Sequence, residues 1–242
     1  MNKREFIAKN VATLFNDGDV VNLGVGIPTL SSTFVPKDIT VLVHAENGAV
    51  GCEKSNGYPW SMESRESAIA TREPWGGENG NFRTKHRDLC DASGDSITLI
   101  PGSFCCDTTM AFAIARGGHL DATVLGALQV DQDCNLANWK IPGRKLNGMG
   151  GAMDIVSGAK RVIIAMEHCT KYGEPKILKH CTLPLTAAHC VNVIVTELCM
   201  IACKPGNLLV TAIAPGVTKE EIVEKTEAEL HFEEQLKIMK AE

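Results

Sequence analysis

The feature that most constrains this chain is a series of short apolar runs, continuous rather than alternating, with helical signals between them. Val20-Val21-Asn22-Leu23, Ile39 with Val41-Leu42-Val43, Ile97-Thr98-Leu99-Ile100, Arg161-Val162-Ile163-Ile164-Ala165-Met166, Val191 to Thr196 and Leu208 to Ala214 each read as a buried strand, and Ala122 to Val130 is the longest. A strand wetted on one face alternates apolar and polar residues, whereas a strand covered on both faces need not. Strands of the second kind, interleaved with helices, predict an α/β fold: an open, largely parallel sheet with helices on both faces. No internal repeat and no linker rich enough to divide the chain is present, so residues 1–242 are expected to form a single domain.

The helix signals are local. Phe6, Ile7, Val11, Leu14 and Phe15 recur at near-helical spacing over residues 3–15, and Asn16-Asp17-Gly18-Asp19 stops that helix. Pro28 suits the first turn of a helix running through Leu30 to Phe34. Asp107 can cap a helix over 110–115 that Gly117-Gly118 ends, and Thr218-Lys219-Glu220-Glu221 has the spacing of a capping box. Residues 53–89 break the pattern. They are rich in Gly, Asn, Ser, Glu and Arg, with Trp60 and Trp75 as lone anchors, and read as a long loop or insertion that can serve as a lid.

Composition removes several function classes. A formal net charge of −5 with no basic block argues against a nucleic-acid partner. No apolar stretch approaches a membrane span, and Met1-Asn2-Lys3-Arg4-Glu5 runs into an amphipathic helix rather than a signal-peptide core. A cytoplasmic protein with no membrane partner is expected. The chain has 10 cysteines, but the close spacings, Cys105-Cys106 and Cys199-x-x-x-Cys203, are not those of zinc or redox motifs. They are expected to be reduced, mostly buried thiols, with no metal site.

The residues that can carry chemistry lie at the ends of the predicted strands. His44-Ala45-Glu46-Asn47-Gly48-Ala49 follows a strand directly. Asn47-Gly48 favours a tight turn, and a carboxylate at a strand end sits where α/β proteins usually bind ligands. Taken alone, Glu46 fits three roles: turn residue, general base or nucleophile. Gly24-Val25-Gly26-Ile27-Pro28-Thr29 lies between a strand and a helix but has Thr29 where a dinucleotide fingerprint needs glycine, and Pro28 lacks an amide. No nicotinamide or flavin is expected there. Gly24 and Gly26 read as a tight turn or as room for a ligand or neighbouring backbone. Gly148-Met149-Gly150-Gly151 precedes a helix beginning near Ala152; its amides either hold a phosphate or a developing oxyanion, or the glycines let the helix pack closely on the sheet. There is no Ser-His-Asp order or nucleophile elbow, and no second carboxylate is obviously paired with Glu46.

Taken together, the motifs resemble those of the B (beta) subunit of family I coenzyme A transferases of the acetate/butyrate–acetoacetate (3-oxoacid) type. The matching stretches are Val21 to Thr29, Glu46-Asn47-Gly48, Arg116 to Asp121, Leu125 to Asp131, Ala137 to Gly143, Gly148 to Asp154, Met166-Glu167-His168, Lys176-Ile177-Leu178 and Cys181 to Thr186. They run in order over nearly the whole chain, from the first helix to Thr226, except for 53–89. The resemblance implies that Glu46 attacks an acyl-CoA thioester, forms an acyl-glutamyl anhydride and then a glutamyl-CoA thioester, and passes CoA to a second acid such as acetoacetate, acetate or butyrate. It implies an oxyanion-hole amide at Gly151, substrate contacts around Gly24, Gly26, Asn47, Gly48 and Gly150, no cofactor beyond coenzyme A as substrate, and a companion A (alpha) subunit. The chain departs from the family at Ala45, where a serine is usual, and in the length of 53–89. A 3-oxoadipate-type transferase and a non-catalytic ligand-binding module on the same fold are the competing readings.

Overall fold

The computed structural model of the chain describes residues 1–54, 89–143 and 148–241, so the expected loop or lid over 53–89 lies outside the described residues except at its two ends. Strands β1 (Val20–Leu23), β2 (Leu42–Ala45), β3 (Ala49–Lys54), β4 (Ile97–Cys105), β5 (Ala122–Leu125), β8 (Val162–Ala165), β10 (Val193–Val195), β11 (Cys199–Lys204), β12 (Asn207–Ile213) and β13 (Leu230–Ile238) make one sheet. Their order across it is β13-β12-β11-β10-β8-β5-β1-β2-β3-β4. The five middle strands, from β10 to β2, are mutually parallel. Antiparallel pairs flank this block: β2–β3–β4 on one side and β10–β11–β12 on the other. β13 returns parallel to β12. The sheet is thus mixed, with a parallel centre.

The unbroken apolar runs are explained by β8. Val162 and Ile164 point into a core shared with Val156, on α4 (Ala152–Gly158), and with Ile222, on α5 (Lys219–Glu224). Ile163 and Ala165 point the other way, into a core with Ile7 and Val11 of α1 (Lys3–Ala12). Both faces of the centre are covered, so both alternate sets must be apolar. Side-chain caps start three of the described helices. Asn2 and Glu5 form a reciprocal capping box at α1, and Thr218 Oγ1 accepts from Glu221 N at 3.2 Å at α5. Asp107 Oδ1 accepts from Met110 N at 2.8 Å at the start of α3 (Thr108–Arg116). The predicted helix after Pro28 is a single α-turn, α2 (Ile27–Leu30), continued as a 3₁₀ turn over Ser31–Phe34.

One expectation from periodicity is corrected. Ala122 to Val130 is two strands: β5 ends at Leu125, and the chain leaves the large sheet to form β6 (Gln129–Asp131). β6 pairs antiparallel with β7 (Leu136–Ala137) and parallel with β9 (Ile177–Leu178) in a separate three-stranded sheet. Val130, Leu136 and Ile177 are fully buried there, so the run stays apolar across the break and periodicity does not mark it. No helix among the described residues is long and apolar enough to cross a membrane.

Candidate active site

Parallel strands align their carboxyl ends on one edge of a sheet, and that edge is where open α/β sheets bind ligands. At this edge β1 runs into Gly24 and β2 into Glu46. Register places Asn22 beside His44, so the last buried pair of these strands lies directly beneath the Glu46 turn. The turn is built as the Asn-Gly dipeptide suggests. Gly48 N donates to Ala45 O at 2.9 Å, and Cys106 N donates to Gly48 O at 2.8 Å. Gly48 has φ +122°, and a Cβ there would collide with Cys106 O, so only glycine fits. Asn47 is exposed and donates from Nδ2 to Cys90 O at 2.8 Å. The Glu46 carboxylate is thus carried on a turn tied at Ala45, Cys90 and Cys106.

A cleft opens over Glu46, lined among others by Gly24, Thr29, Ser32, Cys52, Asp91 and Ser93. Within it one carboxylate oxygen is held: Asn22 Nδ2 donates to Glu46 Oε2 at 3.1 Å. The same amide donates to His44 O at 3.2 Å, and its Oδ1 accepts from Thr123 Oγ1 at 3.3 Å. Asn22, His44 and Thr123 are each at most 1% exposed, so this network is shut off from water. His44 Nε2 lies 3.1 Å from Ala111 O, a pure acceptor, and therefore carries the ring proton. Burial lowers the His44 pKa, against smaller upward pulls from Ala111 O and the Glu46 charge, so the ring is neutral at pH 7. Among the described residues no cation forms an ion pair with Glu46.

Asp91 brings a second carboxylate to the cleft. Its Oδ1 accepts from Ser93 N at 2.8 Å and from Asp95 N at 2.9 Å, which shapes its own turn. Burial raises its pKa, with Asp95 and Glu46 adding to the rise. Cys52 also lines the cleft, but burial pushes its thiol up to about 12, so it stays protonated and inert.

The structure does not gather every residue singled out from the motifs. Gly24 lines the cleft, its amide donating to Val124 O at 2.8 Å and its carbonyl accepting from Thr29 Oγ1 at 2.6 Å. Gly26 caps α2 beside it. Gly150 and Gly151 precede α4 and do not line the cleft among the described residues. A Cβ on Gly151 would stand 2.7 Å from Phe112 Cζ, so close packing of α4 on α3 by itself accounts for a glycine there. Sequence reasoning passed over Asn22, His44, Thr123 and Asp91. Their one local signal was an amide, Asn22, inside an otherwise apolar strand.

A family model described as Coenzyme A transferase matches residues 83–225. The beta subunit of the acetate CoA-transferase of Escherichia coli is 42% identical over 228 residues, 94% of this chain and 93% of the relative, a match that spans the Glu46 turn. The chain belongs to the coenzyme A transferase family. The B subunit of a probable succinyl-CoA:3-ketoacid coenzyme A transferase of Bacillus subtilis is 38% identical over 93% of this chain and 94% of its own length. The family fold is visible in a crystal structure of an acyl-CoA transferase apoenzyme from Escherichia coli, with TM-score 0.70 and 20% identity over 99% of this chain. This chain spans 43% of the length of that one.

Proposed function

We propose that the chain is the nucleophile-bearing subunit of a CoA-transferase that moves coenzyme A between a short-chain acyl-CoA and a carboxylic acid such as acetoacetate, acetate or butyrate. Glu46 is the nucleophile. The observation that carries this reading is its placement: a carboxylate at the carboxyl edge of the parallel block, open to a cleft, with one oxygen held by Asn22 and no cation paired to it among the described residues. A carboxylate is a weak nucleophile, and what a protein can do for it is fix its direction and withhold competing charge. Glu46 attacks the thioester carbonyl, thiolate leaves, and an acyl-glutamyl anhydride forms. The thiolate then displaces the acid from the glutamyl carbonyl to give a glutamyl-CoA thioester, which the second acid resolves by the reverse path. No metal or redox cofactor enters these steps, and coenzyme A is a substrate.

The relatives carry the names of beta or B subunits, which supports a companion alpha subunit completing the site. The Gly151 amide as donor to the thioester oxyanion, and substrate contacts at Gly26, Asn47, Gly48 and Gly150, rest on the family resemblance. In initial-rate kinetics of the two-subunit complex, the covalent route gives parallel double-reciprocal lines for acyl-CoA against acid. Intersecting lines, the mark of a ternary complex, would overturn the covalent half-reactions.

A further inference from the structure

Asn22 is the one polar side chain in β1, a strand otherwise of valine and leucine, and it is 1% exposed. Burying an amide is unfavourable unless its hydrogen bonds are met, and here they are met in a way that fixes its direction. Three acceptors lie on the Nδ2 side: Glu46 Oε2 at 3.1 Å, His44 O at 3.2 Å and the unprotonated His44 Nδ1 at 3.4 Å. The Thr123 hydroxyl supports Oδ1 from the next strand at 3.3 Å. Turning the amide over would set an oxygen against a carbonyl and a carboxylate. The N–H therefore points at one chosen oxygen of Glu46 and leaves Oε1 to the cleft.

We propose that Asn22 is a catalytic residue that donates to the oxyanion formed on Glu46 itself, an inference that rests on Glu46 being the nucleophile. In the first step Oε1 attacks the thioester carbon, the C–S bond breaks and thiolate leaves with the electron pair. In the second step the thiolate sulfur bonds to Glu46 Cδ, and the carbonyl electron pair moves onto Oε2. Collapse breaks the Cδ–Oε1 bond, and the acid departs as a carboxylate carrying Oε1. No net proton is taken up or released. The negative charge of this second intermediate develops on Oε2, opposite an N–H of the buried Asn22 amide already held in place by Thr123 and His44. Such a donor is most effective when it needs no reorganisation as charge appears. Discharge of the thioester by the second acid passes through the same oxyanion. The acyl-CoA carbonyl, whose oxygen is a different atom, requires its own donor. Asn22 also orients the nucleophile in a chain that has Ala45 where relatives of this type usually carry serine.

The test isolates the steps at Cδ. The two-subunit complex is charged with acetoacetyl-CoA, freed of small molecules, and its glutamyl-CoA thioester is discharged with acetate in a single turnover. Asn22→Ala should discharge roughly 10²- to 10³-fold more slowly than the wild type, the usual loss for one oxyanion donor, with CoA affinity within about twofold. Asn22→Ser keeps a buried hydroxyl for His44 O but is too short to reach Glu46, and should show the same loss; it keeps the test open if Asn22→Ala does not fold. Wild-type discharge rates in either folded variant would overturn the role of Asn22 while leaving Glu46 as nucleophile. Failure of the wild type to form any Glu46 thioester would overturn both.

Discussion

His168 should act as an acid-sensitive joint of the fold. It is fully buried, with Nδ1 3.0 Å from Thr196 Oγ1 and Nε2 2.9 Å from Thr226 Oγ1. Thr196 Oγ1 already accepts from Leu198 N at 3.1 Å and Cys199 N at 3.2 Å, and its hydroxyl proton has two acceptors in reach, Nδ1 at 3.0 Å and Cys199 O at 3.2 Å. Nε2–H then donates to Thr226, whose own hydroxyl donates to Ile222 O at 2.8 Å. A neutral ring satisfies every bond in this chain. Burial lowers the His168 pKa from 6.5 to about 4. The unfolded chain takes up a proton as pH falls below 6.5, and the folded chain does not until about 4. Stability from this group is therefore complete above pH 6.5, falls through the window from 6.5 to 4, and levels off below it. The loss across that window is about 3 kcal/mol. For a chain of this size it corresponds to roughly 6–12 °C in melting temperature. The assay is thermal unfolding of the complex across the window, wild type against His168→Gln. Carboxylates titrating in the same range affect both proteins, and the difference between the curves isolates His168. The variant should start lower at neutral pH and converge on the wild type toward pH 4. Parallel curves would refute the reasoning, because the buried ring would then not be held neutral.

Two further predictions follow from close approaches at glycines. Gly48→Ala must accommodate both φ +122° and a collision with Cys106 O. It should destabilise by about 1–3 kcal/mol and lower kcat by displacing Glu46, as read by melting temperature and steady-state kinetics together. Gly151→Ala brings a methyl to 2.7 Å from Phe112 Cζ, so it should cost about 1–3 kcal/mol. Adding Phe112→Leu should recover much of that loss in a double-mutant cycle; additivity would show that the ring is not what the glycine accommodates.

The parallel centre was legible because its physics is local to each strand: residues buried on both faces must be apolar whatever they pack against. Two of the helix starts were legible for the same reason, since Asp107 and Thr218 act within three residues of themselves. The pairing of β3 with β4, and the parallel return of β13 to β12, were not, because each joins strands separated by long stretches of other sequence. β13 in fact alternates, with Leu230, Phe232, Leu236 and Ile238 among charged residues, yet such a run names no partner strand. The break between β5 and β6 was hidden because both halves are buried. At the site, Glu46 could be picked out from its turn, whereas Asn22 acquires meaning only when β2 and β5 bring up His44, Glu46 and Thr123, between 22 and 101 residues away. An amide in an apolar strand signals a buried network but not its other members.

The central claim is that Glu46 carries the acyl and CoA groups during turnover. Its most direct test is to incubate the two-subunit complex with acetoacetyl-CoA, reduce with borohydride, and map the modified peptide by mass spectrometry. Reduction of the Glu46 side chain to the alcohol, only after exposure to acyl-CoA, is the predicted result. An unmodified Glu46 in a complex that demonstrably binds coenzyme A would contradict the account and point to a binding role on the same fold.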